Sequence, residues 1–221
     1  MLIPVILLVC LFVILFITSR LIIKSVYQLF LLVTHSRHGS VQLLAWLFLP
    51  GTLLHELAHI IVAELLQVKT GRLNLLPQIE NEEEVKLGTV SMAESDPFRR
   101  TLIGLAPTIT GIIALAISAH FLNFGLPFQW LNWLLFWLIF VIANTMFSSA
   151  KDLETAAVPA IVVFLVVSSL WLAKVSLPLP PSFLSFIQDL VAKLNLALTI
   201  TTGLNLLVWL LIQGLVKVIR K

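Results

Sequence analysis

Charge is the scarcest property of this sequence. Asp, Glu, Lys and Arg make up 11% of the 221 residues, against about a quarter in soluble domains, while 59% are hydrophobic and mean hydropathy is +1.05. A water-soluble globular domain of this size is thereby excluded. The small positive balance, +3, does not indicate nucleic acid, because the basic residues stand at the ends of apolar runs, where they anchor spans. Cysteine is almost absent too. With Cys10 alone there is no intramolecular disulfide and no cysteine zinc site. Internal repeats, low-complexity tracts and linkers are also lacking, so residues 1–221 read as one membrane-embedded domain, with a core at 41–154 and flanking helices at 1–34 and 155–221.

What the chain has instead is apolar runs of spanning length. Leu2 to Thr18 is the first; without a basic start or a small-residue cleavage site it reads as an anchor, not a removed signal peptide. Leu21 to Val33 either continues that helix or lies along the interface. A polar loop at 35–40 precedes Val41 to Val68, where Pro50-Gly51 predicts a break and a fresh helix near Gly51-Thr52. Further spans are expected at Thr101 to Leu122, Phe128 to about Ser149, Thr155 to Ala173 and Leu196 to about Val216. Between the last two, Pro178, Pro180 and Pro181 make a turn, and Phe183 to Leu194 has the spacing of an amphipathic interfacial helix. The one substantial polar segment, Lys69 to Arg100, alternates at Arg72 to Leu76 and Val85 to Met92, which predicts a β-hairpin or small sheet.

The fold class is therefore an all-α polytopic membrane protein of about six transmembrane helices, with a small β segment between the second and third. An even count sets both termini on one side. Nine of the 14 Lys and Arg fall on that side, which makes it cytoplasmic.

Inside the second span stands His55-Glu56-Leu57-Ala58-His59. Residues four apart share one face of a helix, so two imidazoles can point at a single ion. Zinc takes His nitrogen readily and in catalytic sites keeps one position open for water, on which Glu56 can act as general base. With this composition the pattern arises by chance in roughly one sequence in a few hundred. A His or Glu near a helix end can simply snorkel to the interface, but three such groups at metal spacing, with no nearby cation to neutralise Glu56, fit that reading poorly. His35 and His38 read as exposed loop histidines, and Glu64, five residues past His59, faces another side.

Depth narrows the third ligand. His59 lies about 13 Å from the inner end of its span at Val68, and Asp152, at the inner end of the fourth, reaches the same depth. His120, at the outer end of the third span, does not. Asp152 thus completes a two-His, one-carboxylate zinc set, with Glu154 as the alternative acid and a helix N-cap as the structural reading of Asp152.

Taken together these residues resemble the site-2 protease family of intramembrane zinc metalloproteases. The likeness rests on His55-Glu56-x-x-His59 in one span, on Asn144 eight residues before Asp152 in a later one, and on the order motif helix, β-rich polar segment, Gly/Pro-containing helix, aspartate helix. It covers about half of the chain. It implies zinc ligands His55, His59 and Asp152, Glu56 as base, and Asn144 orienting substrate. Phe147 stands where the family usually has proline, and Leu153-Glu154 where glycine usually follows the aspartate. Lys69 to Arg100 is too short to hold an inserted peptide-binding domain.

The expected function is an intramembrane zinc endopeptidase acting on transmembrane protein substrates in the lipid bilayer. The rival is a proteolytically silent zinc-binding scaffold for membrane partners. A metal-gated transporter ranks last, because the outer halves of the spans offer little polar path.

Overall fold

The computed structural model describes residues 2–75, 78–81, 84–86, 88–122, 130–146, 165, 169 and 180–219. Its helices are α1 (Leu2–Thr34), α2 (Arg37–Leu65), α3 (Pro97–Phe121), α4 (Trp130–Thr145) and α5 (Pro181–Ile219), with strands β1 (Thr70–Asn74), β2 (Gln78–Asn81), β3 (Glu84–Lys86) and β4 (Thr89–Met92) between α2 and α3. Four of the helices are long and apolar enough to cross a membrane, and α4 is a shorter apolar helix. This is a mostly helical membrane protein. Its exterior is apolar as a lipid solvent requires: Trp46, Leu65, Phe98, Trp130 and Trp133 are each at least 69% exposed.

One open alternative is resolved and one expected break is absent. Leu21 to Val33 continues the first span, giving one 33-residue helix through Arg20 and Lys24, whose charges its exposed side accommodates; the Arg20 guanidinium lies over the Phe16 ring. Pro50 likewise does not end a helix. It sits inside the 29-residue α2. A proline removes only one intrahelical donor, and Gly51 beside it lets α2 lie against α4, where a Cβ would come within 2.3 Å of Thr145 Oγ1 and 2.8 Å of the Val141 carbonyl oxygen. Close packing on both sides of the proline holds the helix together.

The ends of α2 carry their own signals. Ser36 is the N-cap, accepting from the Gly39 amide, so the expected polar loop shrinks to His35 and Ser36. At the far end Gln67 adopts φ 57°, and the Val68 amide reaches back to the Ala63 carbonyl at 2.8 Å, with Val68 packed in one cluster with Ala63 and Ile103. This is a Schellman closure with glutamine in the left-handed position.

The polar segment forms two nested antiparallel pairs, β1 with β4 and β2 with β3, as its alternation predicts. Asp96 then caps α3: its carboxylate accepts from the Arg99 amide at 3.0 Å and pairs with the Arg99 guanidinium. That amide, chiefly, with Arg99's charge holds the carboxyl below its ordinary range. Pro97 follows at the first helical position.

The expected interfacial helix and last span are one 39-residue helix, α5, because nothing between Leu194 and Leu196 breaks the backbone. α1 and α5 run in the same direction. Asn195 donates to the Pro4 carbonyl and Asn205 to Thr18, while Leu11 and Leu15 pack with Leu194 and Leu198, and Ile22 and Val26 with Ile212 and Val216. Six alternating spans would oppose the first helix to the last, an arrangement that the parallel packing of α1 and α5 does not match. The expected span from Thr155 to Ala173 and the turn at Pro178 lie outside the described residues, except for helical Leu165 and Ser169.

Polar contacts set how these helices meet. Asn144 on α4 is wholly buried and exchanges two bonds with Asn205 on α5: its Nδ2 donates to Asn205 Oδ1 at 2.9 Å, and Asn205 Nδ2 donates to Asn144 Oδ1 at 2.7 Å. Asn205→Leu would strand Asn144 in an apolar interior and is expected to cost about 1–2 kcal/mol. Adding Asn144→Leu should recover part of that loss in thermal unfolding of the purified protein; simple addition of the two losses would show that the pair is not coupled.

Candidate metal centre

The inward stripe of α2 is Ser40, Leu44, Phe48, Gly51, Thr52, His55, Glu56, Ala58, His59 and Ala63, the 3.6-residue repeat of one helix face. All three polar members of the motif lie on it. His55 is 4% exposed, Glu56 3% and His59 6%, whereas Leu57 and Ile61 face outward. Burying two imidazoles and a carboxyl group in a bilayer protein is costly, which makes this cluster the candidate site.

The rings of His55 and His59 stand 4.9 Å apart, centroid to centroid, at 83°. Two imidazoles sharing a tetrahedral zinc through bonds of about 2.0–2.1 Å have centroids about 5 Å apart. The pair therefore has the separation that a shared ion requires. His59 Nδ1 lies 2.9 Å from the Ile103 carbonyl oxygen on α3. A carbonyl only accepts, so Nδ1 carries a proton, and in the neutral ring the lone pair that a metal needs is then on Nε2. By donor type and separation the two imidazoles suit zinc.

Above Glu56 lies the backbone of Gly88, between β3 and β4. Gly88 is buried, and a Cβ there would come within 2.8 Å of Thr52 Cγ2 and 3.0 Å of Glu56 Oε1. Only a residue without a side chain admits this approach. The glycine between two strand patterns was visible in the sequence as Leu87-Gly88-Thr89, but nothing there tied it to Glu56.

The other expected residues fare differently. Asp152 and Glu154 lie outside the described residues, as do Phe147 and Leu153. Among the described residues no group of three or more His, Cys, Asp or Glu side chains is arranged to hold a metal ion. Asn144 is described, and its amide is engaged by Asn205 and by the Phe140 carbonyl. Asn205 had a signal of its own: an amide within an apolar run demands a partner. The residues set aside stay aside. His35 and His38 are exposed, His38 meeting Gln42; Glu64 accepts from Thr70; and His120 lines a groove with Asp189 and Lys193. Compared with protein-family models, curated proteins and solved structures, the chain matches none.

Gly88→Val should push the hairpin off α2 or turn the Glu56 carboxylate aside. Zinc content of the purified variant is expected to match wild type, while any hydrolytic activity falls by about 10²-fold or more. Full activity in Gly88→Val would show that the contact has no bearing on Glu56.

Proposed function

We propose that this protein is an intramembrane zinc endopeptidase, similar to the site-2 protease family, that cleaves transmembrane protein substrates. The observation that carries the reading is the pair of buried imidazoles 4.9 Å apart beside a buried carboxyl group on one helix face, with His59 anchored through Nδ1. His55, His59 and Asp152 would hold the ion, with Glu154 as the alternative acid. When bound, zinc supplies Lewis acidity toward a carbonyl and toward water.

The chain's own residues do the rest. Glu56 takes a proton from the attacking water as the new C–O bond forms, then delivers it to the leaving amine nitrogen as the C–N bond breaks. Buried walls keep bulk water from the acid and the base. A helical substrate must unwind locally before it reacts, since its carbonyls are otherwise engaged along the helix. Asn144 orients substrate in this scheme only when its amide is released from Asn205.

Glu56→Gln is expected to lower cleavage of a reconstituted transmembrane substrate by about 10²–10⁴-fold with zinc retained. Asp152→Ala should lose zinc by metal analysis. Cleavage that persists in Glu56→Gln refutes the assignment. The scaffold reading draws on the Gly88 backbone pressed against Glu56; it requires a membrane partner that copurifies with wild type and Glu56→Gln alike and is cut by neither.

A further inference from the structure

The carbonyl that receives His59 is not an ordinary one. In an α-helix the Ile103 oxygen would accept from the amide four residues on, and that residue is Pro107, which has no N–H. The surroundings offer no substitute from solvent. Ile103 is 3% exposed, and Gly104, Ala106 and Pro107 are all buried. A carbonyl freed by proline inside a membrane helix has to be satisfied by a neighbouring helix, and here the donor is His59 on α2, at 2.9 Å.

We propose that Pro107 is a positioning residue for the candidate metal centre. By removing one amide hydrogen from α3, it assigns the Ile103 carbonyl to His59 Nδ1, which fixes the tautomer and the angle of that imidazole and reserves Nε2 for metal. Apolar packing supports the same contact. Ile103 packs with Ala63, one turn beyond His59, in the same cluster. The role in metal binding rests on the zinc reading above; the control of His59 does not.

Pro107→Ala separates the two. Alanine restores an amide that competes for the Ile103 oxygen, while making α3 a better helix. The expected signature is therefore opposite in sign for fold and site. The thermal midpoint of the variant holds or rises, whereas zinc affinity falls by about tenfold, the usual scale for a lost partner behind a histidine ligand. In zinc-free protein, ¹⁵N NMR of labelled histidine should show His59 as the Nδ1–H tautomer in wild type and as a mixture in Pro107→Ala. Pro50→Ala, which restores an amide elsewhere on α2, should move neither readout.

An unchanged His59 tautomer in Pro107→Ala overturns the proposal whether or not zinc binds. A shifted tautomer in a protein that binds no zinc upholds the control of His59 and refutes the zinc reading alone. Loss of zinc together with a lowered thermal midpoint and an unshifted tautomer would make Pro107 merely structural.

Discussion

A polar group buried among lipid-facing helices must find its partner inside the protein, and this requirement sets most of what is specific in the structure. Apolar packing holds helices together in a membrane without choosing between registers, because the lipid is as apolar as the side chains it replaces. Directional bonds do choose. His59 on the Ile103 carbonyl fixes the height of α2 against α3, and Asn205, shared by Asn144 and Thr18, fixes α5 against α4 and α1. Each contact joins a side chain that cannot be left alone to a group that needs it equally.

Where the helices come closest, side chains are missing. Gly51 brings α2 onto α4, and at Gly111 a Cβ would come within 2.5 Å of Met146 Cγ, so α3 also lies close to the end of α4. Both glycines lie within eight residues of a position that shapes the site: Gly51 four before His55, Gly111 eight after Ile103. The polar bonds and the close approaches thus reinforce one another, since a bond of 2.9 Å between two helices needs backbones near enough to make it.

The motif was legible because its information is local. Four-residue spacing puts two imidazoles on one face in any helix, and strand alternation around a polar stretch gives a hairpin in most settings. What misled were residues whose effect depends on partners far along the chain. Pro50 reads as a helix start, yet Gly51 against Val141 and Thr145 makes a continuous helix the better-packed choice. Phe183 to Leu194 reads as a separate interfacial helix, yet no breaker divides it from the run that follows, and α5 stays whole. Asn205 as the partner of Asn144 is not legible either, because the two stand 61 residues apart. Pro107 acquires its meaning only when the carbonyl four residues earlier is matched with a donor on another helix.

The site so built has a rigid floor and a lighter cover. His55, Glu56 and His59 stand on a 29-residue helix locked to α3 and α4, and their angles are set by backbone and packing. Gly88 lies between strands of three and four residues paired only in twos, and two-stranded elements are marginal by themselves. One side of Glu56 is therefore covered by a two-stranded element, while His55 and His59 stand on a long helix packed against α3 and α4. The buried polar stripe of α2 thus meets a helix on one side and strand-linked backbone on the other, and the two contacts rest on the same face because the histidines and Glu56 share it.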